Sequence, residues 1–186
     1  HEVKALHKEG RKIIIIGDHG HDEVVGIASQ IPDPIIIASV EEAKALRKTK
    51  KAGIVSQSTQ TIENVQDIIN ILMTKVFDLR FVNTICFPTK RNQEQIKELS
   101  EITDLMIIIG SFTSANSKRL AELSKERNKN TYQVTCAAEI DSAWIASDVN
   151  SIGISAGAST PDWIIESVIK KVKEITNTEE KEIIHE

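Results

Sequence analysis

Short apolar runs rich in β-branched residues alternate along the chain with longer stretches in which apolar positions recur at helical spacing. Ile13–Ile16, Ile35–Val40, Gly53–Ser56, Leu79–Ile85, Leu105–Ile109, Tyr132–Cys136 and Ile152–Ser155 read as strands. The intervening segments read as helices. They run from the polar elbow DHGHDEV to Gln30, over EEAKALRKTK (Glu41–Lys50), over Ile62–Phe77, from Pro88 through Ser100, onward from Arg119, and from Pro161 to about Ile175. The opening HEVKALHKEG reads as helix interior closing at Gly10, so the chain is expected to begin part-way through a longer protein. Strands that alternate with helices imply βαβ units with helices on both faces of a sheet. The expected fold class is α/β, with two small three-layer domains, each a mostly parallel sheet flanked by helices. Their expected bounds are 1–79 and 80–177, followed by a charged tail over 178–186.

Composition narrows the function classes. The 186 residues are 40% hydrophobic and 27% charged, ordinary for a globular chain, and the net charge of −4 leaves no broad footprint for nucleic acid. No apolar run approaches the ~20 residues that span a bilayer, so no membrane partner is expected. Two cysteines far apart, Cys86 and Cys136, suit a reducing compartment, and a cytoplasmic location is expected. Each can be a small core residue, a reactive thiol or a metal ligand. Neither a GxGxxG nor a Walker pattern is present, which removes the common nucleotide-cradling loops.

The polar chemistry gathers where strands end. After the first strand come His19, His21 and Glu23; after the third, Gln57, Ser58 and Thr59; after the fourth, Cys86, Thr89 and Gln93. Ser111, Thr113, Ser114, Asn116 and Ser117 follow the fifth, and SAGASTPDW, with Ser155 and Ser159, follows the last. Each loop alone reads as capping or turn chemistry. Ligands of open α/β sheets, however, bind beyond the carboxyl ends of strands, and five such loops point to a shared site. Hydroxyls, an Asn and a His without a lysine-rich loop suit a small oxyanion held by neutral donors and helix-start N–H groups. Glu23, two residues from His21, can give or take a proton there, although it also fits a first-turn acid favoured by the helix dipole.

Taken together these segments resemble the LytB family, the iron–sulfur reductases of 4-hydroxy-3-methylbut-2-enyl diphosphate. NTICFPTKRNQ (Asn83–Gln93) is similar to the family's NTIC-x-x-T-x-x-RQ segment, and GDHGHDEVVG (Gly17–Gly26) to its G-x-x-x-H-x-E-V-x-G elbow. VSQST (Val55–Thr59) resembles its Gln-Thr-Thr loop, GSFTSANSKRL (Gly110–Leu120) its GS-x-x-S-S/A-NS-x-RL segment, and SAGASTPDW its AGAS-x-P segment. The resemblance implies a central [4Fe–4S] cluster held by three cysteines, with one iron open to the substrate's allylic hydroxyl. Two electrons and protonation would release that hydroxyl as water and give isopentenyl and dimethylallyl diphosphates. Cys86 falls at one cluster ligand, Glu23 at the proton donor, and His21, Ser114, Asn116 and Ser159 at diphosphate ligands. A low-potential carrier, ferredoxin or flavodoxin, is the implied electron donor.

The sequence departs from that pattern in four ways. Ser58 stands where the family often has Thr, which preserves the hydroxyl. Ala115 replaces a Ser but keeps a backbone N–H for substrate. Asn92 occupies the position of the motif's Arg, with Arg91 one place earlier. The segment that carries the other two cluster cysteines and two further histidines has no counterpart here. Cys136 matches no ligand position and is expected in the core, and His19 matches nothing specific. The chain is therefore expected to be the second and third domains of such a reductase, inactive alone. The rival is a stand-alone diphosphate-binding module without redox chemistry.

Overall fold

The computed structural model describes residues 1–176; the expected tail at 178–186 lies outside the described residues. The chain divides into two compact units, His1–Lys90 and Arg91–Glu186. In the first unit the strands are β1 (Lys12–Ile16), β2 (Ile35–Ile37), β3 (Thr49–Ser56) and β4 (Val76–Val82), all parallel in the order β2-β1-β3-β4. Helices α1 (Glu2–Lys8), α2 (Asp22–Ala28), α3 (Val40–Ala45) and α4 (Ile62–Met73) connect and cover them. The strand pleat assigns the central isoleucines alternately. Ile14 and Ile16 pack with Val65, Ile68 and Leu72 of α4, while Ile13 and Ile15 pack with Val3 and Leu6 of α1 and Val24 of α2. A strand buried on both faces is a continuous apolar run.

The second unit has three parallel strands, β5 (Leu105–Ile109), β6 (Thr131–Val134) and β7 (Ile152–Ala156), in the order β6-β5-β7. β5 is buried throughout. Leu105, Ile107 and Ile109 face Val168 and Val172 of α7 (Asp162–Thr176), and Met106 and Ile108 face Leu120 and Leu123 of α6 (Ala115–Arg127). α5 (Phe87–Ile102) crosses the division between the units. Among the described residues no helix is long and apolar enough to cross a membrane.

Several element ends differ from the sequence expectation, each for a local reason. Helical composition over Glu41–Lys50 yields to pairing: α3 stops at Ala45, and Thr49 and Lys51 enter β3 opposite Val76 and Asp78. β2 stops at Ile37 because Ser39 caps α3, its hydroxyl accepting from Glu42 N–H. α4 stops at Met73, and Phe77 lies in β4. β4 in turn stops at Val82 rather than at Ile85, since the Asn83 carboxamide accepts the Ile85 N–H at 3.2 Å. The expected 79/80 boundary falls inside β4, whose pairing with β3 places the strand and Cys86 in the first unit. Cys136 sits past the end of β6 and is half-buried, so it is not a core residue.

Candidate functional site

In the first unit β1 and β3 run side by side, so the loops that leave them emerge at one end of the sheet. Gly17 starts the elbow after β1, where a Cβ would lie 2.6 Å from Val24 Cγ2 and 3.0 Å from Gln57 Oε1. Only glycine permits so close an approach of α2 and the β3 loop. His21 is the N-cap of α2, its Nδ1 accepting from Glu23 N–H at 3.2 Å. In the neutral ring the proton then sits on Nε2, which leaves one donor for an anion. Glu23, in the first turn of α2, turns back onto the β3 loop. Ser58 N–H donates to its Oε1 and the Ser58 hydroxyl to its Oε2, both at 2.8 Å.

A buried brace holds that pair. Gln57 is fully buried, accepts from Asp18 N–H at 2.9 Å and donates to the Thr59 hydroxyl at 2.8 Å. Gln60, equally buried, accepts from the Asn64 amide at 2.8 Å. Buried amides without partners would be costly, so the brace fixes one geometry for the loop. Cys86 joins the same assembly, because its N–H donates to the Ser58 carbonyl at 3.2 Å. Its half-buried Sγ lies 2.7 Å from the hydroxyl of the buried Thr89. The structure thus brings Glu23, Ser58 and Cys86 together. His19 belongs elsewhere: it pairs with Glu42 at 2.9 Å, at the corner between β2 and α3. The Ala38 N–H and His19 together hold the Glu42 carboxyl below its usual range.

In the second unit the loops after β5 and β7 meet over the buried Ser117. A Cβ on Gly110 or on Gly157 would overlap the Ser117 hydroxyl. Gly157 N–H donates to the Ile109 carbonyl at 2.9 Å and the Thr160 hydroxyl to the same atom at 3.1 Å, which ties the two loops together. Ser114 is the N-cap of α6, accepting from Ser117 N–H at 3.4 Å. Ala115 and Asn116 follow as the first helical residues, both half-buried, at the positive end of a 13-residue helix. Ser159 is exposed in the adjoining loop, as are Ser111 and Thr113, whose hydroxyls bond each other at 2.8 Å. Ser155 lies within β7, inside the strand read over Ile152–Ser155, rather than in the loop that follows it.

Thiolates carry most of the binding of an iron–sulfur cluster. Cys86 offers one. Among the described residues no group of three or more His, Cys, Asp or Glu side chains is placed to hold a metal ion. The described residues therefore do not by themselves fit a cluster.

Comparison with known proteins is consistent along the chain. The LytB protein family model matches residues 1–173. The 4-hydroxy-3-methylbut-2-enyl diphosphate reductase of Geobacter sulfurreducens is 40% identical over 176 residues, 94% of this chain and 62% of that protein. The enzyme of the same name from a Nitratiruptor species is 42% identical over 173 residues, 93% of this chain and 62% of that protein. The chain thus spans about three-fifths of the length of the curated relatives it matches. Among solved structures, the E-1-hydroxy-2-methyl-but-2-enyl-4-diphosphate reductase of Plasmodium falciparum superposes with a TM-score of 0.83 at 28% identity, covering 92% of this chain and 55% of that one. A structure of (E)-4-hydroxy-3-methyl-but-2-enyl diphosphate reductase, the terminal enzyme of the non-mevalonate pathway, matches at 37% identity with a TM-score of 0.53, covering 93% of this chain and 63% of that one.

Proposed function

Because the chain belongs to the LytB family, we propose that it supplies the diphosphate-binding and proton-delivering parts of a reductase acting on 4-hydroxy-3-methylbut-2-enyl diphosphate. The observation that supports this reading best is the Glu23–Ser58 pair: one residue's N–H and O–H occupy both oxygens of the carboxylate at 2.8 Å. Such a carboxyl is held in one orientation. When Glu23 carries a proton, the Ser58 hydroxyl can rotate to accept from it and donate onward to a bound ligand, whereas the N–H keeps the side chain in place. The net change is addition of two electrons and two protons, with cleavage of the allylic C–O bond and release of water. A [4Fe–4S] cluster would supply the electrons. This chain would contribute the Cys86 thiolate to it, with the remaining ligands outside the described residues, and a ferredoxin or flavodoxin would reduce it.

Diphosphate would be held by the second unit's neutral donors. Ser114, Asn116 and Ser159 offer side chains, and Ala115 offers its backbone N–H at the start of α6. From the first unit, His21 Nε2 is a further donor. A reductase of this kind would act in the cytoplasm. Titration of the 186-residue chain with inorganic pyrophosphate tests the binding reading. We expect saturable binding that the double variant Ser114→Ala, Asn116→Ala weakens at least tenfold, and binding unchanged in that variant would sink it. Iron and acid-labile sulfide after anaerobic reconstitution test the cluster reading. Near-zero iron is expected on this chain alone, and about four irons per chain would show that Cys136 or a second chain completes the ligand set.

A further inference from the structure

β4 leaves the sheet after Val82, yet Cys86, four residues on, is bonded as though the strand had continued. Where strands of this protein pair in parallel, the residue following one member of a pair donates to the carbonyl of the other. Gln57 N–H donates to Ile16 carbonyl beside the Ile16↔Ser56 pair, and Gly157 N–H to Ile109 carbonyl beside Ile109↔Ala156. The Cys86 N–H bond to the Ser58 carbonyl, at 3.2 Å, is the same bond for a Ser58↔Ile85 pair. That pair keeps the β3–β4 register in which Val55 opposes Val82. The chain therefore leaves strand geometry over Asn83 and Thr84, and Cys86 then makes one bond in the β3–β4 register, to the turn that follows β3.

One side chain bridges this gap in the strand. Ser56 is fully buried at the end of β3, and β4 has already ended at Val82. The Thr84 hydroxyl accepts Ser56 N–H at 2.8 Å and donates to the Ser56 carbonyl, which takes the place of both backbone partners. The Asn83 carboxamide spans the same residues by accepting Ile85 N–H. We propose that Thr84 is a positioning residue for Cys86: its hydroxyl substitutes for the missing ladder at Ser56 and keeps the chain in register, so that the Cys86 backbone stays tied to the Ser58 carbonyl and its thiol beside Thr89. The role needs a side chain that donates and accepts at once. Serine retains that capacity, and valine, of nearly the same shape, lacks it.

The test uses the 186-residue chain with Cys136→Ser, so that Cys86 is the sole thiol. Thr84→Val should speed amide hydrogen exchange at Cys86 at least tenfold and change its iodoacetamide alkylation rate at fixed pH at least threefold. Amides of Ile13–Ile16 and Ile107–Ile109 should be unaffected, and Thr84→Ser should stay within twofold of the parent. Thr84→Val within twofold of the parent in both readouts, or Thr84→Ser displaced as far as Thr84→Val, would overturn the proposal. A second measurement needs no substitution at Thr84. If one hydroxyl gates both contacts, the Ser56 and Cys86 amides share an opening event, and their protection factors agree within about threefold. A difference above thirtyfold overturns the proposal even where Thr84→Val fails to fold. The catalytic importance of the placement rests on the role proposed for Cys86, but neither readout involves diphosphate or iron. Pyrophosphate binding can therefore fail while Thr84's role stands, and the reverse.

Discussion

The two units place polar loops at equivalent strand exits and build them in opposite ways. In the first, the polar groups are bonded to one another around the buried Ser56 and Gln57, with half-buried partners: Gln57 to Asp18 and Thr59, Ser58 to Glu23, Thr84 to Ser56. In the second, the hydroxyls of Ser111, Thr113 and Ser159 are exposed, and order comes from short-range bonds and from glycines crowded against Ser117. A buried polar network tolerates few arrangements, because each lost partner leaves a desolvated group behind. It suits a group whose position relative to a reacting atom must be fixed. Half-buried donors at a helix start beside exposed loop hydroxyls suit a ligand taken from water and returned to it. The proposed function gives the two designs two tasks, holding a proton donor and gripping an anion.

The comparison breaks most visibly at Glu23. In a complete, cluster-loaded protein, Glu23→Gln should lower kcat at least a hundredfold, roughly the contribution of a positioned general acid, while KM stays within threefold. Steady-state kinetics with a dithionite-reduced mediator would measure both. A kcat within threefold of the parent would place the donor elsewhere, and the buried network of the first unit would then serve structure alone. Next in size is Gly157→Ala. A methyl group there overlaps the Ser117 hydroxyl, and overpacking of this kind costs about 1–3 kcal/mol. Urea unfolding should show the loss in amides of β5 and β7, with those of β1 and β3 unchanged. Equal loss in both sets would show that the two units unfold together.

Much of this architecture is written in the sequence. Isoleucine runs such as Ile13–Ile16 and Leu105–Ile109 sit at the centres of the two sheets, and each ends at glycine or serine where the chain turns. Pairing that overrides local composition is not written there. The lysine-rich Thr49–Lys51 becomes strand because Val76 and Asp78 lie opposite it, and Phe77 leaves the helical pattern for the same reason. The resemblance singles out Glu23 and Ser58 individually, 35 residues apart, but their direct bond is a property of the folded sheet. Thr84 lies in the strand read over Leu79–Ile85 and in the NTIC segment, but neither gives it a role. Its bond to Ser56, 28 residues away, is likewise a property of the folded sheet.

The anion-gripping side of the comparison responds to smaller changes. Ser114→Ala alone removes a cap bond that is already long, at 3.4 Å. It should cost about 0.5–1 kcal/mol of α6 stability, the low end of capping effects. Pyrophosphate affinity should fall severalfold, less than in the double variant with Asn116. Chemical shifts of Ala115–Leu120 amides report the cap, and calorimetric titration reports the affinity. An unchanged affinity with a frayed helix would separate capping from binding, and would move the proposed anion contacts to Asn116 and Ser159.

The weakest expected effect is a pH dependence confined to the first unit. Glu42 accepts from Ala38 N–H at 3.0 Å and from His19 at 2.9 Å, and these bonds hold its carboxyl below the usual range in the folded state. A carboxyl lowered on folding adds stability that is present above its unfolded pKa and is lost as pH falls through the folded value. The side chain is 41% exposed, so solvent screening keeps the contribution under about 1 kcal/mol. The first unit should therefore weaken slightly as pH falls from about 5 toward 3, more than in the Glu42→Gln variant, which lacks the titrating group. Amide exchange at Ala38 and Ala43, at the mouth of α3, is the appropriate probe, since global unfolding sums every carboxylate in both units. Identical pH profiles for parent and variant at those two amides would mean that the His19–Glu42 corner contributes nothing to holding the β1 elbow, leaving the Gln57 brace as its anchor.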